Sequence, residues 1–426
     1  MSPFPETSIV IMKICVLGAG ITGVTAAYFL AQRGHEVTIV DAQAGPGEGA
    51  SYANGAQLSY SYVAPLADPG VWVNLPKYLL SRDSPLQWKP QFDATQWRWI
   101  SSFLQACTAS ASREATIELL RLAFYSRDAL NALQAELQLD FGFRTAGKLV
   151  MMDSMKGLLA AQRQVDFQAA LGCNQSVLDV EGCIGVEPAL SSSAARWAGG
   201  VYTPDEQVGD CAAFCTQLAD VIRTNYPASR FLFNTAVTGA TMERGKMVAC
   251  QTNKGDIVAD AYVLALGSAS SRFAQYLHLR LPVYPLKGYS VTLDASHGGP
   301  QVSITDLPRK IVYARLGDRL RVAGRVEIVG HDRSIEELKC ASLVKNAQEL
   351  FPDVEAGRDV QQWVGARPAT PTGIPIIGRS PVSNLYINTG HGALGWTLAC
   401  GSACILASQI DREPAGIPDT AFRCAA

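Results

Sequence analysis

The chain has 426 residues, of which 48% are hydrophobic and 17% are charged, and its formal net charge is −2. This composition is typical of a globular protein with enough apolar material for a large core, and the length favours two domains. The small net charge gives no reason to expect nucleic acid as a partner.

The cysteine content indicates the redox compartment. The 11 cysteines are an odd number and include no C-x-x-C pair, so we interpret them as reduced thiols of a cytosolic protein. The C-x-x-x-C pairs Cys211/Cys215 and Cys400/Cys404 are interpreted as helical core packing rather than zinc ligands. Residues 1–11 lack the basic region of a secretory signal, and no apolar run approaches the ~20 residues of a membrane span.

A strand–turn–helix–strand unit is predicted near the start of the chain. Residues 13–17 are a short apolar run typical of a buried parallel strand, and 24–33 are helical in pattern and end before Gly34. Residues 35–40 form the second strand. The first strand and the helix are joined by a G-x-G-x-x-G turn, made of Gly18, Ala19, Gly20, Ile21, Thr22 and Gly23.

This unit predicts a dinucleotide site. Gly18 permits the tight turn, Gly20 lets the backbone approach a pyrophosphate, and Gly23 allows close helix–strand packing. The helix N-terminus offers free N–H groups to the phosphates. Asp41 ends the second strand, where its carboxylate can accept hydrogen bonds from a ribose, and this acid disfavours the 2′-phosphate of NADP.

Two further small-residue turns follow predicted strands, where a doubly wound sheet binds its ligands. The first runs from Ser51 to Gln57 and contains Asn54 and Gly55, which would let the backbone lie against a flat ring; a surface loop is the alternative. The second is at Gly267, directly after a buried strand.

The rest of the chain alternates between helical and extended patterns. Helices are predicted at 97–137, 156–171, 180–190 (ending before a proline), 211–225 and 334–350, and a final helix runs from the turn at 389–396 to about 410. Strands are predicted at 144–152, 197–202, 231–233, 237–242, 248–252 and 257–266. From residue 281 an alternating pattern at 283–291, 310–315 and 319–329 predicts an antiparallel second sheet.

These motifs resemble those of the D-amino acid dehydrogenase small-subunit family, which groups with glycine oxidase and D-amino-acid oxidase among the FAD-dependent amine oxidoreductases. The resemblance covers roughly residues 12–412. Its most specific runs are Tyr-Pro-Leu-Lys-Gly-Tyr-Ser at 284–290, Gly-Ala-Arg-Pro-Ala-Thr-Pro at 365–371 and Asn-Thr-Gly-His-Gly-Ala-Leu-Gly-Trp-Thr at 388–397, beside the 18–23 turn and Ser51 with Asn54.

The resemblance implies an α/β fold in which a Rossmann-like FAD-binding domain is interleaved with an antiparallel-sheet substrate domain. The implied FAD-binding domain consists of residues 12–60, 193–272 and 356–412, and the substrate domain of residues 61–192 and 273–355.

The resemblance also implies how FAD lies. Its adenosine end is expected at Asp41 and at the backbone of Val237, and its isoalloxazine between the 51–57 loop and a second turn. That turn consists of Gly390, His391, Gly392, Leu394, Gly395, Trp396 and Thr397. The helix that starts near Gly395 would direct its positive end at the pyrimidine side of the flavin and stabilise the reduced anion.

The activity implied by the resemblance is oxidative deamination of D-amino acids. A hydride passes from the α-carbon to flavin N5, the imino acid hydrolyses to a 2-oxo acid and ammonia, and the electrons pass to a quinone or another acceptor. Peripheral association with the inner face of the cell membrane is implied by the family.

Three alternatives to this activity are considered, of which the last is disfavoured. The same chemistry can act on a secondary amine such as a D-hydroxyproline, sarcosine or an opine, within a larger complex. An inactive FAD-binding partner subunit is a second alternative, and an NAD-dependent dehydrogenase is disfavoured because a Gly-His-Gly tail is not its pattern.

The substrate carboxylate needs an arginine fork. Arg315 and Arg367 are the candidates, and a structural ion pair is the alternative for each. Tyr284 and Tyr289 lie five residues apart, so on a regular strand they face opposite ways, and we favour Tyr289 for the pocket. Lys287 shares the face of Tyr289 and is either a residue over the flavin or a solvated lysine. Hydride transfer from a neutral amine needs no general base, so the histidine of the second turn is interpreted as a flavin contact.

Overall fold

The structure is a computed structural model that describes residues 10–73, 75, 86–355 and 359–424. The strands of these residues are β1 (Lys13–Leu17), β2 (Glu36–Val40), β3 (Gln57–Leu58), β4 (Leu86–Trp88), β5 (Arg144–Thr145), β6 (Lys148–Met152), β7 (Ser176–Leu178), β8 (Gly199–Thr203), β9 (Gln207–Val208), β10 (Arg230–Leu232), β11 (Val237–Glu243), β12 (Lys246–Thr252), β13 (Gly255–Ile257), β14 (Ala261–Leu264), β15 (Tyr284–Asp294), β16 (Ser303–Asp306), β17 (Ile311–Leu316), β18 (Arg319–Ile328), β19 (Gln361–Ala369), β20 (Ile376–Arg379) and β21 (Leu385–Thr389).

The helices connect these strands and cover the sheets. They are α1 (Ile21–Gln32), α2 (Ala94–Ala106), α3 (Ala109–Leu137), α4 (Met155–Ala169), α5 (Val180–Val186), α6 (Cys211–Asn225), α7 (Ser270–Gln275), α8 (Glu337–Leu350) and α9 (Gly395–Ile410). Short 3₁₀ turns lie at Pro188–Arg196, Gly267–Ala269, Gly392–Leu394 and Thr420–Phe422.

A six-stranded sheet forms the nucleotide-binding half, in the order β10-β2-β1-β14-β21-β20. All its pairs are parallel except β20–β21. The strands are buried on both faces because α1 and α9 pack on one side and the β11-β12-β13 sheet and α7 on the other. The predicted strand–turn–helix–strand unit is therefore confirmed.

The second half is built on a nine-stranded, mainly antiparallel sheet, in the order β19-β15-β18-β17-β16-β6-β8-β7 with β4 beside β18. Helix α8 packs on one face of this sheet. Chain pieces from both halves alternate along the sequence, so the predicted α/β fold with interleaved sheets is confirmed.

Several element boundaries differ from the predicted ones. The single helix predicted at 97–137 is two helices, because Thr108 breaks the first and caps the second by accepting from the Ala111 N–H at 3.3 Å. The helix predicted at 180–190 ends at Val186 and continues as a 3₁₀ turn from Pro188. Strands β8 and β19 belong to the second sheet, although the predicted FAD-binding domain contained them; the other domain boundaries stay predictions.

One core helix has the composition of a membrane span, which the sequence interpretation did not expect. Gly392–Ile410 is long and apolar enough to cross a membrane, but 72% of that window is buried inside the protein. We therefore interpret α9 as the central helix of the nucleotide-binding half.

Candidate active site

A large cavity of about 710 Å³ runs between the two sheets. One end is lined by the 18–22 turn and Asp41, and the other by strands β15, β18 and β19. The volume falls in the range usual for cofactor and substrate sites.

The glycine turn has the geometry of a pyrophosphate cradle. Gly18 has φ +108°, and a Cβ there would lie 2.5 Å from the Ala265 carbonyl oxygen. A Cβ at Gly23 would collide with the Gly18 carbonyl, so helix and strand pack closely at that point. A Cβ at Gly20 would meet only Ser51 Oγ, at 3.5 Å, which shows that its open side faces the cavity.

Asp41 lines the same end of the cavity and also fixes the turn. Its Oδ2 accepts from the Ala19 N–H at 2.6 Å, and its Oδ1 accepts from the Gln43 N–H at 2.8 Å. Val237 lines the cavity beside it, and its expected backbone contact with the adenosine stays a prediction. The carboxylate thus has a structural role that the sequence did not reveal, in addition to the predicted ribose contact.

The 51–57 loop lies along the middle of the cavity. Ser51 Oγ accepts from the Ile21 N–H at 3.0 Å, which ties the loop to the first turn of α1. Asn54 Oδ1 accepts from the Ala56 N–H at 2.9 Å, and a Cβ at Gly55 would lie 3.1 Å from Val312 Cγ2. These contacts hold the loop in place, and its small residues leave its cavity side open to a flat ring.

The second turn closes the cavity opposite this loop. Its residues at 391–397 line the cavity, and the N-terminus of α9 has no side-chain cap. Gly390 has φ +87° and Gly392 has φ +56°, which only glycine adopts readily. Gly267 and Thr389, joined by a 3.1 Å hydrogen bond from Thr389 Oγ1 to the Gly267 carbonyl, lie beside the turn.

His391 lies deep in this turn and is neutral. Its Nε2 is hydrogen-bonded to Ser402 Oγ at 3.0 Å, and burial lowers its pKa to about 3. Its Nδ1 is buried and has no partner among the described residues. A buried polar atom normally has one, so this nitrogen fits a contact with a bound cofactor. Together with the open glycine turn, it makes the cavity suited to an extended dinucleotide with a flat ring.

The structure brings Arg367 to the far end of the cavity. Its guanidinium crosses Gly288, and Nη1 donates to the Arg325 carbonyl at 3.1 Å, which is its one hydrogen bond within the described part of the chain. Burial lowers its pKa to about 10, so the group remains charged at neutral pH. The adjacent wall is apolar and is formed by Leu286, which pairs with Arg367 in the sheet, and by Trp99.

Arg315 does not reach the cavity. Its guanidinium donates to the carbonyls of Gly317 at 3.0 Å, Gly298 at 2.6 Å and Ala295 at 2.7 Å. On β17 the side chain of Val312 faces the cavity, and Arg315, three residues further, faces the other side. The expectation that Arg315 binds the substrate carboxylate is therefore corrected, because its guanidinium is held by backbone carbonyls away from the cavity.

Lys287 and Tyr289 also point away from the cavity. Lys287 Nζ binds Asp332 Oδ2 at 2.8 Å, and the Tyr289 hydroxyl donates to Glu327 Oε2 at 3.0 Å. Only the backbone side of β15 at Tyr289 borders the cavity, since its ring packs in the core under α8. Both residues are structural in this arrangement, contrary to their expected catalytic placement. Tyr284 likewise packs against Trp99, with ring centroids 5.8 Å apart.

Sequence reasoning missed several polar residues of the cavity. Lys148, Tyr62, Lys310, Arg325 and Arg333 all line it. No local pattern marks them, because each arrives from a different strand or loop. Among the described lining residues the carboxylates are Asp41 and Glu48, both at the adenosine end, so the far end is positively charged.

Comparison with known proteins identifies the family. Residues 13–409 match the family described as "DAO: FAD dependent oxidoreductase". The chain belongs to this family. FAD is accordingly its cofactor, and the cavity geometry agrees with that assignment.

Its relatives match along nearly their full lengths. A D-amino acid dehydrogenase 2 of Ralstonia nicotianae is 45% identical over 417 residues, which cover 95% of this chain and 98% of the relative. A D-amino acid dehydrogenase of Vibrio cholerae is 40% identical over 401 residues, covering 94% and 95%. Because these relatives are matched whole, the expected description as a small subunit is not supported.

Solved structures show the same fold. Glycine oxidase from Geobacillus kaustophilus superposes with a TM-score of 0.77 at 22% identity, covering 97% of this chain and 98% of that one. L-proline dehydrogenase from P. horikoshii gives a TM-score of 0.71 at 18% identity, covering 95% and 94%.

Proposed function

We propose that this enzyme oxidatively deaminates D-amino acids to 2-oxo acids and ammonia. The proposal is supported by relatives of 40–45% identity that carry the name D-amino acid dehydrogenase. The structural observation that carries it is the Arg367 guanidinium, which faces the FAD cavity without a carboxylate partner among the described residues.

Arg367 can hold the substrate carboxylate. A guanidinium binds a carboxylate through two parallel hydrogen bonds, and its single bond to the Arg325 carbonyl leaves donors for this purpose. The neighbouring positive charges of Lys310 and Arg333 add an attractive potential for an anion, whereas the Arg325 guanidinium donates to Ser342 Oγ on α8 at 3.0 Å. The group therefore both orients the substrate and raises its local concentration.

The wall beside Arg367 would contact the side chain of the substrate and exclude water from the site. Trp99, Phe103 and Leu286 present an apolar surface next to Arg367. An amino acid held by its carboxylate would rest its apolar side chain there, with the α-carbon toward the 51–57 loop. Bound FAD supplies the hydride acceptor, while the protein contributes orientation and a dry environment.

The electron acceptor and the location belong to the same proposal. A quinone or another acceptor would take the electrons, which fits the dehydrogenase names of the relatives. We place the enzyme in the cytoplasm, which its free cysteines support, and propose with it a peripheral association with the inner face of the membrane.

The test is anaerobic bleaching of the purified yellow protein by a panel of amines. The panel contains D- and L-amino acids, a D-hydroxyproline, sarcosine and an opine. Bleaching by several D-amino acids but not by their L forms is expected. Bleaching by secondary amines alone would move the substrate to that class, and a yellow protein that nothing bleaches would indicate an FAD-binding partner subunit.

A further inference from the structure

A buried lysine forms part of the cavity wall between the two elements that face the flavin. Lys148, the first residue of β6, has only 2% of its surface exposed. Its Nζ donates to Gln57 Oε1 at 2.8 Å and to Ser59 Oγ at 2.7 Å. The same nitrogen lies 4.5 Å from the centroid of the Tyr62 ring.

These contacts connect Lys148 to both flavin-facing elements. Gln57 ends the 51–57 loop, and its amide is fixed from the other side because Nε2 donates to the Tyr313 carbonyl at 3.3 Å. The Ser59 N–H donates to Thr397 Oγ1 at 3.1 Å, in the first turn of α9. The ammonium therefore bonds directly to one element and through Ser59 to the other.

A buried carboxylate lies near the Lys148 ammonium. Glu206 is the neighbouring carboxylate, and it accepts from the N–H groups of Tyr60 and Ser61, both at 2.7 Å. Burial lowers the pKa of Lys148 and raises the pKa of Glu206, while their mutual attraction opposes both shifts. The groups that face Lys148 are thus Gln57 of β3, Ser59 directly after β3, Tyr62, and Glu206 directly before β9.

A buried cation is costly, and an apolar side chain of the same length would pack this wall at lower cost. Glu206 attracts the ammonium without forming an ion pair with it, so on the cavity side of Lys148 a further negative charge would be stabilised. Reduction of a flavin places negative charge on its pyrimidine ring, and charged groups near that ring tune its potential.

We propose that Lys148 is a positioning residue that raises the reduction potential of the bound flavin and favours its reduced form. The inference rests on FAD lying between the 51–57 loop and α9, as in the proposed function, but it does not depend on the substrate. Lys148 acts in addition to the positive end of α9, because its charge approaches from the side of the loop.

The test is the midpoint potential of the holoenzyme, measured with a chemical reductant and a reference dye and without amino acid. Lys148→Met should lower the equilibrium ratio of reduced to oxidised flavin on the order of tenfold, equivalent to about 30 mV for a two-electron couple. Lys148→Arg keeps the charge and should stay near the wild-type ratio. Lys89→Met removes an exposed lysine paired with Glu336 and should change nothing.

The pH dependence gives a second readout. The difference between wild type and Lys148→Met should disappear at alkaline pH, where Lys148 loses its proton. If both Lys148→Met and Lys148→Gln purify without flavin, the wild-type enzyme alone tests the inference. Its midpoint potential must fall more steeply with pH in the alkaline range, because reduction of the flavin there draws a proton onto Lys148.

An unchanged midpoint potential in a Lys148→Met enzyme with normal flavin content would overturn the inference. A midpoint potential of the wild-type enzyme that changes with pH at one constant slope across the alkaline range would overturn it as well. Because no substrate is used, a failure to oxidise D-amino acids would overturn the proposed function and leave this measurement intact.

Discussion

The guanidinium of Arg367 lies directly over Gly288, so that a Cβ at residue 288 would come within 2.5 Å of Arg367 Nη1. Glycine at this position of β15 therefore makes room for the side chain that we assign to the substrate carboxylate. The relationship joins two specific sequence runs, 284–290 and 365–371.

Gly288→Ala should displace Arg367 and reduce kcat/KM about 10- to 100-fold, mainly through KM, since a misplaced carboxylate contact weakens binding and alignment. Flavin content should stay normal. Gly185→Ala is the matched control, because a Cβ at Gly185 in α5 meets nothing within 4 Å. Equal kcat/KM values for Gly288→Ala and Gly185→Ala would show that substrate binding does not depend on the present position of Arg367.

Arg367→Met should lower kcat/KM by the equivalent of about 2–5 kcal/mol, because the substrate carboxylate would lose its charged donor in a desolvated site. Arg367→Lys should recover only part of this loss, since an ammonium cannot form the two parallel bonds. Steady-state kinetics with a neutral electron-accepting dye would measure both. A full recovery by lysine would argue that the charge alone matters.

Arg315→Met should affect stability rather than catalysis. The variant loses three hydrogen bonds to backbone carbonyls near the β17–β18 hairpin, which should cost about 1–3 kcal/mol of unfolding free energy. Chemical denaturation of the Arg315 and Arg367 variants side by side separates the two roles. A large fall in kcat/KM for Arg315→Met at unchanged stability would return the carboxylate role to Arg315.

The part of the site near the start of the chain could be predicted because its signals are local. The glycine turn, its flanking strands and Asp41 lie within one short segment, and their backbone requirements are written in consecutive residues. The second turn at 390–397 was expected at the flavin only because the run at 388–397 resembles that of the family.

The substrate end could not be predicted because side-chain direction on the second sheet depends on register. Lys287 and Tyr289 do share a face of β15, with Lys287 Nζ 5.2 Å from the centroid of the Tyr289 ring, but that face turns toward α8 and not toward the cavity. For Arg315 the alternation is regular, but the sequence did not show which face of β17 meets the cavity. Lys148 is brought to the site by sheet pairing alone, which no local pattern reports.

Gly20→Val and Gly23→Ala should fail in different ways. At Gly20 the added side chain meets open space beside Ser51 Oγ, 3.5 Å away, so the protein should fold but purify colourless because the pyrophosphate path is filled. At Gly23 the added Cβ collides with the Gly18 carbonyl, so the variant should lose stability as well as flavin. Visible absorption and thermal unfolding distinguish the two outcomes. Normal flavin content in folded Gly20→Val would contradict the placement of the pyrophosphate.

His391 should make the protein less stable in acid. Its pKa is lowered from an ordinary value of 6.5 to about 3 because the imidazole is buried in an uncharged environment. In the unfolded chain the same histidine takes up a proton below pH 6.5, so the folded state loses stability as the pH falls from about 6.5 toward 3. The loss should reach about 2 kcal/mol at pH 5 and should be absent above neutrality.

His391→Gln removes this titration and should flatten the acid side of the stability profile, whatever its effect at neutral pH. Denaturant unfolding of the wild-type and variant holoenzymes at several acidic pH values measures the difference in slope, which should correspond to one proton. Because His391 is neutral throughout the neutral range, kcat/KM should show no change that follows an ordinary histidine titration. Parallel stability profiles for wild type and His391→Gln would mean that the folded protein accepts a proton at this site, and the neutral flavin-facing assignment of His391 would then be wrong.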